Sequence, residues 1–497
     1  NRQIIATRKT VGKYKTDVMN DRRMMKTTLL ILTVLFFSGV CPAQIVELDL
    51  QKCRKMAVEN SKKLQSAEQQ GQKAGFDKKA YRANFLPKLS ATGLYAYVHK
   101  KMKFDIDGGY LPVYDVNDVG QAVPLNSLYM PEGKPVLGAD GIPLFKQYAF
   151  MPDIDLALGI ENAYTVGVML EQPLYMGGKV RSAFRMASIG KEIADLNVKY
   201  NQAEVLAEAD AAYWQYLKVC EQVKAAGKYL EVVKELVRNL EDAYRTGMAA
   251  QNDLLKAQVK QNEAELMVQK AQNGLALSGM NLCRIVGVDL MSELTVRDSL
   301  GEGIVSGLWE EGDNITGRPE YNMLERQIEL KEKEVALTRS DFLPQLGVSA
   351  SYGYSDGITL NGKSDGIASF AALASLKIPI YHWGEGRNKV KAMKAEEEMV
   401  RLKKEETEQM MQLEVARARY NVEDAATRVR LTRRSLSQAE ENLQVSKNRF
   451  EVGMETLTNY MEAQAQWQKA WSDWIEAKAE LRVNETYYLK STGRLSD

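Results

Sequence analysis

The chain has 497 residues, with 66 Lys or Arg against 65 Asp or Glu and a formal net charge of +1. That length is too great for one compact core unless the molecule is elongated or repeated. The balanced charge gives no reason to expect nucleic acid as a partner. Two histidines, His99 and His382, do not make a zinc site, and no G-x-S-x-G, P-loop or H-E-x-x-H motif is present, so neither enzymatic activity nor a cofactor is expected.

In chain order, Arg22, Arg23 and Lys26 precede an apolar run, LLILTVLFF, over 29–37. Cys41, Pro42 and Ala43 then offer a cleavage site before Gln44. Charge, length and flank read as a secretory signal peptide. The run is too short to span a bilayer as a helix. Residues 1–24 lie before a start at Met24 or Met25 and read as an upstream extension. Acylation of Cys41 would make a lipoprotein, but Val40 fits poorly before an acylated cysteine. Without residues 1–43 the chain carries 58 basic and 63 acidic residues, a net charge of −5. Cys53, Cys220 and Cys283 are odd in number and widely spaced, which disfavours a disulfide framework and favours small buried residues on helix faces.

The remaining chain reads as a duplication. NFLPKLSATGLYAY (84–97) resembles DFLPQLGVSASYGY (341–354), and EQPLYMGGKVRSA (171–183) resembles KIPIYHWGEGRNK (377–389). YRTGMAAQNDLLKAQ (244–258) resembles FEVGMETLTNYMEAQ (450–464). Pro173 to Pro379 and Gly247 to Gly453 are both 206 residues apart. Between these landmarks Tyr216, Val219, Val223, Ala226, Leu230, Val233, Val237, Leu240 and Tyr244 step by three and four. Val422, Ala425, Val429, Thr432, Leu436, Ala439, Leu443, Ser446 and Phe450 step the same way. This is the seam of coiled-coil packing.

Each copy is expected to run helix, strand, loop, strand, very long helix, turn and returning helix. Proline ends the helices at Pro87 and Pro344 by pushing the preceding residue out of the α region. Pro173 and Pro379 close the second strands, and Gly247 and Gly453 suit a helix stop. The helices over about 179–245 and 387–452 contain no proline and would each be on the order of 100 Å long. In the strands Leu89, Ala91, Gly93, Tyr95 and Tyr97 share one face, as do Leu346, Val348, Ala350, Tyr352 and Tyr354. Partner strands are expected near 163–171 and 368–377. Length, alternation and terminal tyrosines are those of tilted membrane strands. Four strands cannot close a barrel, so either several chains contribute or the strands are not membranous. The segment 103–162, with Pro112, Pro124, Pro131, Pro135, Pro143 and Pro152, reads as a long external loop.

Signal peptide, duplicated halves, FLP junctions and G-x-x-x-x-x-D/N-x-x-x-A-Q tips together resemble the TolC family of outer-membrane efflux and secretion channels, over essentially the whole chain after residue 43. The opening segment LDLQKCRKMAVENSKKLQSAEQQ (48–70) is also similar to the family's. The resemblance implies a mainly α fold with a membrane β-barrel part: a homotrimer whose twelve strands, four per chain, lie in the outer membrane and continue as an α-helical barrel. It implies repeats over 44–288 and 321–497 joined by an equatorial linker, 289–320. Its partners would be outer-membrane lipid, a periplasmic adaptor and, indirectly, an inner-membrane pump, proton-driven or ABC. The chain would be a passive exit duct.

By the same resemblance, Asp253, Phe450, Glu455, Asn459 and Glu462 stand at the periplasmic gate. Asn459 and Glu462 occupy positions where the family's reference channel has aspartates, and Phe450 and Glu455 positions where it has a tyrosine and an arginine. Asn459 removes an expected acid and Glu455 reverses a charge, so the closing network differs here. Thr246, Gly247, Met248, Val452, Gly453 and Met454 form the tips that would dock the adaptor. A protein-secretion exit and a non-membrane coiled-coil scaffold remain alternative readings.

Overall fold

The computed structural model describes residues 46–98, 102–123, 126–305, 308–309, 312–360 and 363–495. The expected signal peptide, Cys41, His99 and Pro124 lie outside them. The elements are β1 (Val46–Leu48), α1 (Leu50–Asn60), α2 (Lys62–Ala83), β2 (Lys88–Ala96), β3 (Met102–Ile106), β4 (Gly109–Pro112), β5 (Asp115–Val116), β6 (Ala122–Val123), β7 (Tyr148–Met151) and β8 (Ile154–Met176). They continue as α3 (Lys179–Arg245), α4 (Gln251–Val286), β9 (Leu294–Val296), α5 (Pro319–Ser340), β10 (Gln345–Leu360), β11 (Ile367–Lys377), α6 (Glu385–Glu451) and α7 (Leu457–Ser491). No helix among the described residues is long and apolar enough to cross a membrane.

The chain divides into two units. One comprises residues up to Gln72, Ile193–Glu325 and Lys403 onward; the other comprises Lys73–Glu192 and Arg326–Leu402.

The first unit is helical. The three-four stripe of α3 is buried at Tyr216, Val219, Ala226, Val233, Val237 and Leu240, and turns outward at Tyr244. The stripe of α6 is buried at Val422, Ala425, Val429, Leu436 and Ser446. Full burial of each large aliphatic side chain is worth about 1.5–3 kcal/mol, which is why packing rather than propensity holds such helices. Within the 289–320 segment, β9 pairs in parallel with β1, Val46 against Leu294. Beside this pair, Arg54 donates to both carboxylate oxygens of Asp210 at 2.8 and 2.7 Å, and Thr486 Oγ1 donates to the same group at 2.9 Å. Asp210 is fully buried, so its charge depends on these three bonds. Tyr213 donates to Asp298 at 2.6 Å. Burial, and then the charge of Asp210, push the neighbouring Cys53 thiol up to about 12. All three described cysteines are free; Cys53 and Cys283 are buried and Cys220 is half-buried.

The second unit holds the sheet. Its strand order is β11-β10-β8-β2, and β3 also pairs with β8. The ladder is antiparallel throughout, with Ala350 against Leu170 and Leu170 against Leu89. That register aligns the faces of all four strands. One side carries Leu89, Val166, Val168, Leu170, Tyr352 and Phe370, all exposed. The other is mostly small or polar, with Ser90, Thr92, Thr165, Gly167, Ser349, Ser351, Ser355 and Ser375, interrupted by Leu94, Met169, Ile367 and Leu373. Thr165 Oγ1 lies 3.0 Å from Ser355 Oγ on this polar side. The outer edges of β2 and β11 have no partner among the described residues.

Both FLP junctions are built alike. Asn84, Phe85 and Leu86 donate to Tyr81, Arg82 and Ala83; Asp341, Phe342 and Leu343 donate to Thr338, Arg339 and Ser340. Three tightened i→i−3 bonds thus finish each helix before proline, which has no donor to continue it. Phe85 meets the edge of Phe184 at 5.8 Å, and Phe342 that of His382 at 6.0 Å.

Two expectations are corrected. Pro173 does not close its strand: β8 runs on to Met176, and Pro173 sits at a one-residue bulge opposite Gly347, beyond the reach of β2. A bulge on a stretch with a single partner strand tolerates a missing donor. Nor is 103–162 only a loop. β8 begins at Ile154, nine residues before the expected start, and pairs there with β3, Ile106 against Ile154. β4 pairs with β7, β5 pairs with β6, and Tyr114 and Tyr148 pack on the buried Phe145 at 5.2 and 6.1 Å. Cross-strand pairing and this aromatic nucleus organise a segment whose prolines and glycines concealed it.

At the sheet-to-helix turns Gly177 has φ 62 and Trp383, at the equivalent place 206 residues on, has φ 50. A left-handed tryptophan is strained by roughly 1–2 kcal/mol. Trp383→Gly is therefore expected to raise stability by about 1 kcal/mol, read from denaturant midpoints of the detergent-solubilised protein. Asp210→Ala is expected to lose about 1–3 kcal/mol in the same measurement, because it removes the acceptor of three hydrogen bonds, one of them from the buried Thr486.

Candidate functional site: the helix tips

The expected tips lie within the helical unit. α3 ends at Arg245 and α6 at Glu451. Gly247 (φ 77) donates to Tyr244 O, and Met248 donates to Ala243 O at 2.8 Å; Gly453 (φ 73) donates to Phe450 O, and Met454 donates to Arg449 O at 2.8 Å. Both are the same left-handed glycine cap, with a methionine as the residue after the glycine. Thr246 Oγ1 donates back to Asp242 O and Ala243 O, and Thr456 Oγ1 accepts from Asn459 N at the start of α7. The backbone thus satisfies itself and leaves the turn side chains outside. Met248 is 80% exposed, Met454 81% and Val452 68%, an apolar display that nothing among the described residues covers.

Below the turns, Leu236, Val237, Leu240, Ala257, Leu457 and Tyr460 form a buried cluster. Phe450 packs against it and stacks on Tyr460, ring centroids 5.2 Å apart. A groove of ≈ 880 Å³ beside this cluster brings together Asp253, Phe450 and Glu455 with Met248 and Gly453. Asn459 and Glu462 do not line it. Glu462 is exposed and accepts from Gln466 Nε2 at 3.1 Å, and Asp253 is 3.3 Å from Lys256. Of the five residues expected at the gate, three share a groove and two stand on the open surface of α7.

Sequence reasoning missed Tyr460, Lys447 and Glu235. Tyr460 continues a stripe through Leu457, Gln464, Trp467 and Trp471, which would have found it. Lys447 donates to Glu235 at 3.0 Å across the two copies, a pairing no local pattern announces. That bond holds the Lys447 ammonium above its ordinary value, and burial pushes the Tyr460 phenol up. Among the described residues no cluster of His, Cys, Asp or Glu could hold a metal.

One turn from the Phe450–Tyr460 stack lies a polar layer. Ser446 Oγ and the Gln464 amide are buried there, and Ser446 Oγ has no hydrogen-bond partner among the described residues. In the first copy the residue equivalent to Ser446 is Leu240, which is buried.

Residues 147–288 and 315–493 match the family described as outer membrane efflux protein. The chain belongs to that family. Its place is the outer membrane. Among curated relatives, the alkaline protease secretion protein AprF of Pseudomonas aeruginosa is 23% identical over 45% of this chain and 47% of its own length, so the match spans about half of that relative. The outer membrane protein OprJ of the same organism is 25% identical over 62% of this chain and 66% of its own. Among solved structures, the CmeC outer membrane channel of Campylobacter jejuni superposes with a TM-score of 0.65 at 16% identity, covering 90% of this chain and 87% of that one. The fold of these efflux-family channels is thus the fold of this chain.

The unpaired layer sets a measurable weakness. Each buried polar atom without a partner costs about 1–3 kcal/mol. Ser446→Leu, which restores the residue found at the equivalent Leu240, is expected to raise the thermal midpoint of the solubilised protein and slow amide exchange over 440–468.

Proposed function

We propose that this protein is the outer-membrane exit duct of a tripartite efflux system, passing small molecules outward without chemistry of its own. The observation that carries this reading is the sheet: apolar on one exposed side, mostly small or polar on the other, and unpaired at both edges among the described residues. Open edges are not tolerated in lipid. Three copies, edge to edge, supply twelve strands, with the apolar side to lipid and the Ser, Thr and Gly side to a water-filled lumen.

In this reading the tips are a docking surface for a periplasmic adaptor, through which an inner-membrane pump drives transport. Exposed methionines suit a contact that must mould to a partner, and the capped glycine turns present them at the hairpin ends. The name of AprF supports a second reading, a protein-secretion exit. A photoreactive residue at Met248 or Met454, irradiated in cells, is expected to capture an adaptor of a proton-driven pump. Capture of an adaptor from an ABC secretion system would move the reading to proteins, and capture of this chain alone would sink the docking surface.

Glu462, exposed on α7, would form a ring of three carboxylates at the gate. Glu462→Gln is expected to lower cation preference in planar bilayers, and an unchanged reversal potential would remove that role.

A further inference from the structure

The polar side of the sheet ends in a group of amines. Lys88 opens β2 and Lys377 closes β11. The register places both on the side that bears Ser90, Ser349 and Ser375, opposite the apolar face. With Lys179 they line one concavity of ≈ 660 Å³. Its carboxylate is Glu171, directly across from Lys88 in the β2–β8 ladder. Lys179 is held by Asp341 at 2.8 Å, whereas Lys88 and Lys377 make no ion pair among the described residues.

These amines do not serve the lipid surface. A lysine on the apolar side could lay its stem on hydrocarbon and reach the headgroups; these two stand on the other side. Nor do they stay apart once the sheet closes. β2 and β11 are the two free edges, and Lys88 and Lys377 lie at the same end of the sheet. Edge-to-edge closure therefore brings Lys88 of one copy towards Lys377 of the next. Like charges facing across a ladder are destabilising, and an anion between them reverses the sign of that interaction.

We propose that Lys88 and Lys377 form a binding site for multiply charged small anions in the lumen, solutes bearing phosphate or clustered carboxylate groups. Three such seams make a cationic belt at one end of the barrel. It favours anionic cargo by raising its local concentration, and salt weakens it. The lumen is that of the channel reading above, on which this inference rests.

The test is calorimetric titration of tripolyphosphate into the whole protein in zwitterionic nanodiscs. Saturable binding is expected, weakened about tenfold or more by Lys88→Gln with Lys377→Gln and strengthened by Glu171→Gln. No saturable binding by the wild type, or a double variant that binds equally well, overturns the site. Loss of wild-type binding when the discs contain phosphatidylglycerol would assign the amines to lipid headgroups and overturn the solute assignment. Conduction is read separately in planar bilayers, where tripolyphosphate should block wild-type current and spare the double variant. Absence of any conductance would strike the channel reading while the binding result stands on its own.

Discussion

A backbone amide in hydrocarbon has no water to bond, and everything about the sheet answers to that constraint. The apolar side chains of β2, β8, β10 and β11 can face lipid only if each strand is paired on both sides. Within one chain β8 and β10 are, and β2 and β11 are not. The proposed trimer follows from these two edges rather than from any contact among the helices. Small residues on the opposite side have the complementary effect, since Ser, Thr and Gly leave room for an open lumen where larger side chains would fill it.

The same demand explains the junctions. A helix satisfies its own backbone and a strand relies on neighbours, so a chain passing from one to the other must dispose of its last helical donors and acceptors within a few residues. The FLP segments do so twice with the same three tightened bonds. The return turns are less equal. Gly177 adopts its left-handed backbone freely, whereas Trp383 holds nearly the same conformation at a cost. Trp383 is 87% exposed, beside Tyr381 at 4.9 Å, at the end of a strand whose apolar face is outward. Little of the indole is buried in return for that strain.

At the tips the two copies have diverged in substance while keeping their form. The two glycine-cap bonds match, Gly247 to Tyr244 and Met248 to Ala243 against Gly453 to Phe450 and Met454 to Arg449. The layers beneath do not match: Leu240 in one copy, an unpaired Ser446 in the other, while Gln258 and Gln464 are the same residue in both. A hairpin with an unsatisfied polar layer is the one that yields first, so the second hairpin is the more pliable member of the pair. In the gate reading this pliability falls on the α6–α7 hairpin, which carries Phe450, Asn459 and Glu462 on its helices and Glu455 in its turn.

Local rules were enough for the sequence to announce its elements. Proline and glycine punctuation, the three-four stripe and the period-two alternation each act over a few residues, and they set the helices, the junctions and the faces of the strands. The tip turns were legible for the same reason, since a glycine cap is a local device. Non-local pairings were not legible. The bulge at Pro173, the early start of β8 against β3, and the Phe145 nucleus all depend on strands that meet only after the chain has folded. So do the Lys447–Glu235 bond and the gathering of Lys88, Lys179 and Lys377 around one hollow. Register decides which side chains share a side of the sheet, and register is a property of two strands together. It belongs to the tertiary structure because no single strand carries it.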